Sequence, residues 1–446
     1  MHRLIRGVES VLAHVAVAVL LTCTALFVHV ARLFRRLFHR DRRRRDVGCL
    51  RVLVVGTFYN ENWFRSHIMP LSAARGLARI DVITDRPLFD VDKVRYVCPP
   101  RWCWTCFGRT LPRGALVFWT ALRHRPDLLM GYHIMPNAVL CLLAARLFGG
   151  RALYQMTGGP IQIVGGGVGS ENALLSRLRR HSPVLEKLLY HVVRLFDVVV
   201  VRGRRAADFV EANALARQVL IVSGSVDADR FRPHERAKEY DLVLVARHIK
   251  EKQPHLLLDI VAHLRHTHPD VRAALVGDGP LTAELEAQAR RLGIEQNVCF
   301  LGKLERVEQV LASSKLFVLT SATEGLAIAM VEAMAAGLPV LAPDVGELSE
   351  LLRDQENGIV IQPEKIEASA AQVSGLLDDQ ERLARMSAAA RERAVARNGI
   401  AAVARRWDDY LDGVFGPKRP DSGVLKVERA EDSTPARSAV QPDGSP

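Results

Sequence analysis

Cysteine is scarce and dispersed. The 446 residues hold seven, an odd number without regular spacing. That excludes the disulfide framework of a small secreted domain and fits a reducing compartment. Cys98, Cys103 and Cys106 form the one close group, and no second C-x-x-C completes a zinc set, so they read as free thiols in a loop. No Asp-x-Asp pair sits in a context suited to a metal. Acidic residues are also short, leaving a formal net charge of +12. Residues 1–46 carry ten arginines against Glu9, Asp41 and Asp46, which gives 10 − 3 = +7. No nucleic-acid motif accompanies this charge. A basic cluster beside an apolar segment points instead to anionic lipid.

What the sequence does have is a long apolar run near its start. Val11–Ala31 is almost wholly apolar, and about 20 such residues span a bilayer as a helix. Arginine-rich sequence follows it, where a cleavable signal would continue with small residues. Eight arginines after the run against two before it predict that the bulk of the chain is cytoplasmic. The alternative is a helix lying in the interface. Leu33, Phe34, Leu37 and Phe38 fall on one helical face of Arg32–Arg40 and support at least an interfacial extension.

From Leu50 onward, short apolar runs alternate with helical patterns. Expected strands are Leu50–Val55, Ile80–Thr84, Leu128–Tyr132, Ala152–Thr157, Val198–Val201 and Leu220–Ser223. A second series comprises Leu242–Ala246, Arg272–Val276, Val298–Leu301, Leu316–Leu319, Val340–Ala342 and Ile359–Ile361. Alternation of this kind predicts parallel doubly wound sheets, with ligands at the carboxyl ends of the strands. The glycines of the stretch 161–172 predict a mobile or tightly folded loop, able to close over an acceptor. Trp102, Trp104 and Phe107 among Arg101, Arg109 and Arg113 suit a membrane interface or a lipid-linked acceptor. Helices are expected over Leu348–Arg353 and throughout Lys365–Phe415. The Pro-, Ser- and charge-rich tail 417–446 is expected to be disordered.

The most informative stretch is Lys315–Asn357. A buried strand ends in a small polar loop. A helix over Ala327–Ala336 follows, and Gly337 and Pro339 stop it. Gly325, Ala327 and Ala329 let a phosphate approach the helix tip, whose amides attract anions. Glu324 precedes the helix and Glu332 lies within it, both able to accept bonds from sugar hydroxyls. In the loop Arg247–Lys252, two cations stand at the end of a strand and suit a diphosphate.

These residues resemble a known family. Glu324 and Glu332 match the Glu-x7-Glu motif, and Arg247 and Lys252 the Arg-x4-Lys pair, of retaining family 4 glycosyltransferases. Val226, Asp227, Arg230, Phe231 and Pro233 resemble that family's interdomain stretch, with Ser225 in a glycine position and the usual asparagine lost. Gly277-Asp278-Gly279-Pro280 is also similar. The resemblance implies an α/β GT-B fold: two doubly wound Rossmann-like domains facing a cleft, plus the N-terminal membrane helix. The expected parts are a membrane anchor (1–48), an acceptor-side domain (49–234), a nucleotide-sugar domain (235–385) and a crossing helix (386–416), with a hinge near His234–Glu239.

The resemblance further implies transfer of a sugar from a nucleoside-diphosphate sugar to a glycan or lipid-linked acceptor, without a metal or resident cofactor. Arg247, Lys252 and Glu324 would be catalytic. Glu332, Gly325, Leu326, Ala327, Ile328, Gly277, Lys303 and Leu304 would hold the donor. On the acceptor or sugar side stand His133, Thr157, Gly158 and Asn62. Two further departures lie in the first domain. Gly56, Tyr59, Asn60, Glu61 and Asn62 replace the family's glycine-rich loop, and Thr157 replaces a histidine. A nucleotide-sugar epimerase of the same fold, or a non-catalytic membrane partner in glycan assembly, are the alternatives.

Overall fold

The computed structural model describes residues 2–37, 45–58, 60–168, 175, 178, 180–234 and 237–417, with side chains from residue 13 to 31 of the first helix. The expectations for Tyr59, Gly169, the far end of the basic segment, residues 235 and 236 of the hinge, and the tail 418–446 lie outside the described residues.

The chain opens with helix α1 (His2–Leu37). The first domain then holds β1 (Leu50–Val55), α2 (Glu61–Ala73), β2 (Leu77–Ile83), β3 (Val94–Val97), α3 (Arg101–Phe107), α4 (Thr110–His124), β4 (Leu128–Tyr132), α5 (Val139–Phe148), β5 (Arg151–Gln155), α6 (Pro183–Val193), β6 (Val198–Val201), α7 (Arg204–Ala212) and β7 (Val219–Ile221). The second holds β8 (Tyr240–Val245), α8 (His255–Leu264), β9 (Ala273–Val276), α9 (Thr282–Leu292), β10 (Val298–Gly302), α10 (Val307–Ala312), β11 (Ser314–Val318), α11 (Ile328–Ala335), β12 (Val340–Ala342), β13 (Gly358–Val360), α12 (Ile366–Asp378), α13 (Gln380–Asn398) and α14 (Ile400–Phe415).

Every named strand pairing is parallel. The first sheet runs β3-β2-β1-β4-β5-β6-β7 and the second β10-β9-β8-β11-β12-β13. Strand order reverses between β1 and β4, and again between β8 and β11. Such reversals open a crevice at the carboxyl ends of the strands. Continuous apolar strands such as Val198–Val201, fully buried, follow from helices covering both faces. α14 returns to the first domain, where Trp407 and Tyr410 bury against α2 and β1.

Helix α1 does not stand apart. Val17, Leu21 and Val28 are fully buried in the core shared with α5 and α6. Its opposite face leaves Val15, Val19, Leu20, Leu26, Phe27 and Val30 exposed.

Two local expectations are corrected, and one strand is added. The Trp- and Cys-containing stretch is helix α3 rather than a loop, with no residue fully buried, and Gly108 at φ +67 stops it. Leu348–Arg353 forms only a 3-10 turn over Leu348–Glu350. The side chain of Asn357 accepts from the Arg353 amide and donates to the Leu351 carbonyl, which turns the chain back. β3 was not foreseen, because a half-buried edge strand carrying Arg95 lacks a clear period-two pattern. The stretch after β5 is tightly folded: Gly165, Gly166 and Gly167 all take positive φ within or beside short 3-10 turns.

Candidate active site

The loop after β8 sets the first cations. Ala246, Arg247 and His248 run against the loop after β9, with His248 donating from its amide to Asp278. A Cβ at Gly277 would meet the Ala246 oxygen at 1.8 Å, so glycine is required for that approach. Arg247 is exposed at the strand end. Lys252 closes a 3-10 turn, and Thr320 beyond β11 donates to the carbonyls of both Lys252 and Gln253 at 2.9 Å. This ties the two loops at the second reversal point to one another.

The result is a direct contact. Lys252 Nζ lies 2.7 Å from Glu324 Oε1, with side chains 18% and 7% exposed. The next residue, Gly325, meets the first domain: a Cβ there would lie 2.4 Å from the Thr157 oxygen and 3.4 Å from Gly158 Cα. Thr157 belongs to a buried network in which Gln162 links its hydroxyl to His133 and to Tyr154. Lys252, Glu324, Gly325, Thr157, Gly158 and His133 therefore come together where the two sheets face one another. Leu326 and Ala327, leading into α11, are buried, and Ile328 Cδ1 occupies the space beside Gly224.

Glu332 forms a second group. It is 6% exposed, and burial pushes its carboxyl up to about 8, against the opposing influence of Arg230. Arg230 donates to Asn62 at 2.8 Å and to Glu308 at 3.0 Å. Asn62, Arg230 and Glu332 line one interdomain cavity with Ser66, Ser225 and Asp227. Burial works against ionisation of Glu308, but its backbone and Arg230 hydrogen bonds win and hold it below the usual range. Lys303 and Leu304 sit exposed on the rim after β10.

Two residues were not singled out from sequence. Arg202, beyond β6, is 5% exposed, and its Nη2 contacts His67 Nε2. Its Nε and Nη1 have no hydrogen-bond partner among the described residues. Burial lowers its pKa to about 10. His67 falls well below its ordinary value, through burial first and Arg202 second. The other residue, Glu347, reaches across to α7. The signal available in sequence was the start of α7: Gly203-Arg204-Arg205 offers no side chain able to cap it.

Residues 225–393 match the family model described as glycosyl transferases group 1. Over that segment the chain is similar to the glycosyl transferases group 1. The matched segment contains Arg247, Lys252, Glu324 and Glu332. Relatives include a GDP-mannose-dependent alpha-(1-6)-phosphatidylinositol monomannoside mannosyltransferase of Mycobacterium tuberculosis, 29% identical over 252 residues, covering 52% of this chain and 66% of the relative. Another is the N-acetyl-alpha-D-glucosaminyl L-malate synthase of Bacillus anthracis, 27% identical over 286 residues, covering 61% and 71%. Three curated relatives are matched over only 38%, 26% and 66% of their own length. Among solved structures, Anabaena HepE in complex with UDP-glucose aligns with TM-score 0.64 and 19% identity, over 82% of this chain and all of that one. The architecture shared with that structure is the GT-B fold.

Proposed function

We propose that this protein is a retaining glycosyltransferase. It moves a sugar from a nucleoside-diphosphate sugar to a lipid-linked or polysaccharide acceptor at the cytoplasmic face of a membrane. The observation that carries the reading is the Lys252–Glu324 contact at the second reversal point, against Thr157 and Gly158 of the facing domain.

As the glycosidic bond loosens, charge grows on the leaving diphosphate. Arg247 and Lys252 offer fixed positive charge there, and preorganised charge is the largest single contribution to such a step. The amides opening α11 add to it. Glu324 orients the donor sugar and steadies its cationic ring, and Glu332 holds the ribose hydroxyls. His133 and Thr157 line the acceptor side. A solved relative binds UDP-glucose and a curated one uses GDP-mannose, which supports a nucleotide-sugar donor. The apolar outer face of α1 and the exposed Trp102, Phe107, Leu111 and Trp119 of α3 and α4 support contact with lipid.

A thermal-shift screen of UDP-, GDP- and ADP-sugars tests the reading. One donor class should raise the melting temperature, and Arg247→Ala should abolish the shift. Transfer with that donor should retain the anomeric configuration by NMR. Free sugar or an epimer released equally without acceptor would sink it.

A further inference from the structure

Helix α7 is badly begun by its own sequence. Gly203 provides no capping side chain, and Arg204 and Arg205 place positive charge where the helix dipole is already positive. The second domain repairs this. Glu350 Oε1 accepts from the Arg204 amide at 2.7 Å, and Glu347 accepts from Arg205 at 3.2 Å and Ala206 at 2.6 Å. Glu347 is only 2% exposed. A Cβ at residue 203 would lie 2.3 Å from Glu347 Oε2. Glycine stands there because a carboxylate from the other domain occupies the space. Its φ of −165 is ordinary extended backbone.

The same loop holds the catalytic carboxylate's backbone. The Glu347 amide donates to the Gly325 carbonyl at 2.8 Å. Gly346, at φ +55, lies so close that a Cβ would meet the Glu324 oxygen at 1.9 Å. One end of Glu347 thus grips the facing domain, and the other braces Glu324–Gly325.

We propose that Glu347 is a positioning residue. Its carboxylate, seated on the α7 amides, couples closure of the two domains to the placement of Glu324 for sugar transfer. The coupling of closure to catalysis rests on the function proposed above, whereas the mechanical link can be measured without it.

Amide hydrogen exchange on the full chain reads the link directly. In the wild type, the amides of Arg204, Arg205 and Ala206 should be protected. Glu347→Ala should speed exchange of the Arg205 and Ala206 amides at least tenfold and also speed exchange across 324–326, with protection of both sheets unchanged. Gly203→Ala, which fills the carboxylate's seat and leaves every acid in place, should do the same. Glu347→Gln, which keeps one acceptor oxygen, should fall between. In transfer assays kcat should drop about tenfold in Glu347→Ala and Gly203→Ala, with donor KM within twofold, because the donor's diphosphate is held on the second domain. Unchanged protection at Arg205 and Ala206 in Glu347→Ala overturns the proposal. So does faster exchange there with 324–326 and kcat unaltered. If the wild type transfers from no donor, the functional reading falls, and exchange at 324–326 alone decides whether the loops are linked.

Discussion

Lys252 and Glu324, 72 residues apart in sequence, share a 2.7 Å ion pair at the meeting point of two loops. Removing one member leaves a largely buried charge alone, which is far more harmful than removing both. Lys252→Ala should therefore lower stability by about 3 kcal/mol. The neutral pair Lys252→Met with Glu324→Gln should regain most of that in urea denaturation while remaining without transfer activity. A double variant that still turns over would show that the pair is structural only.

Arg230 joins the two domains from the segment between them. It reaches Asn62 on one side and Glu308 on the other with separate nitrogens. A planar fork can do this, and a point charge cannot. Arg230→Lys should therefore resemble Arg230→Ala, each raising donor KM roughly tenfold, a loss of about 1.4 kcal/mol. Steady-state kinetics at varied donor concentration would check this, and full rescue by lysine would refute it.

Glu332 carries a signed pH dependence. Burial raises its folded pKa to about 8, whereas the unfolded chain has an ordinary carboxyl. Between the two values the folded state holds a proton that the unfolded state has released. Its contribution to stability is present at low pH and falls as pH rises from about 5 towards 8. Glu332→Gln should flatten that slope and be the more stable protein at pH 8. Denaturation midpoints at pH 5.5 and 8 for both proteins decide the matter.

Much of the fold was legible because parallel strands buried on both faces read as unbroken apolar runs. Leu50–Val55, Leu128–Tyr132, Val198–Val201 and Val340–Ala342 are found at the residues expected. Arg247, Lys252 and Glu324 were picked out by their resemblance to the family's motifs, and the structure brings Lys252 and Glu324 into contact. The pairing of Lys252 with Glu324 was not, since it depends on Thr320 tying two distant loops together. Nor was the capping of α7 by Glu347, because local sequence can show that a cap is missing but not which remote carboxylate provides it. Arg202 was hidden among ordinary surface arginines; only its packing beside His67 and Gly224 marks it out.

The docking of α1 has a practical corollary. Removing the apolar first helix is an obvious truncation to try for a more soluble sample. Here Val17, Leu21 and Val28 are part of the first domain's core, each contributing about 1.5–3 kcal/mol by burial. Cutting before Leu50 would strip α5 and α6 of their cover and leave a greasy trough open to water. The shortened protein should aggregate more readily than the intact chain held in mild detergent.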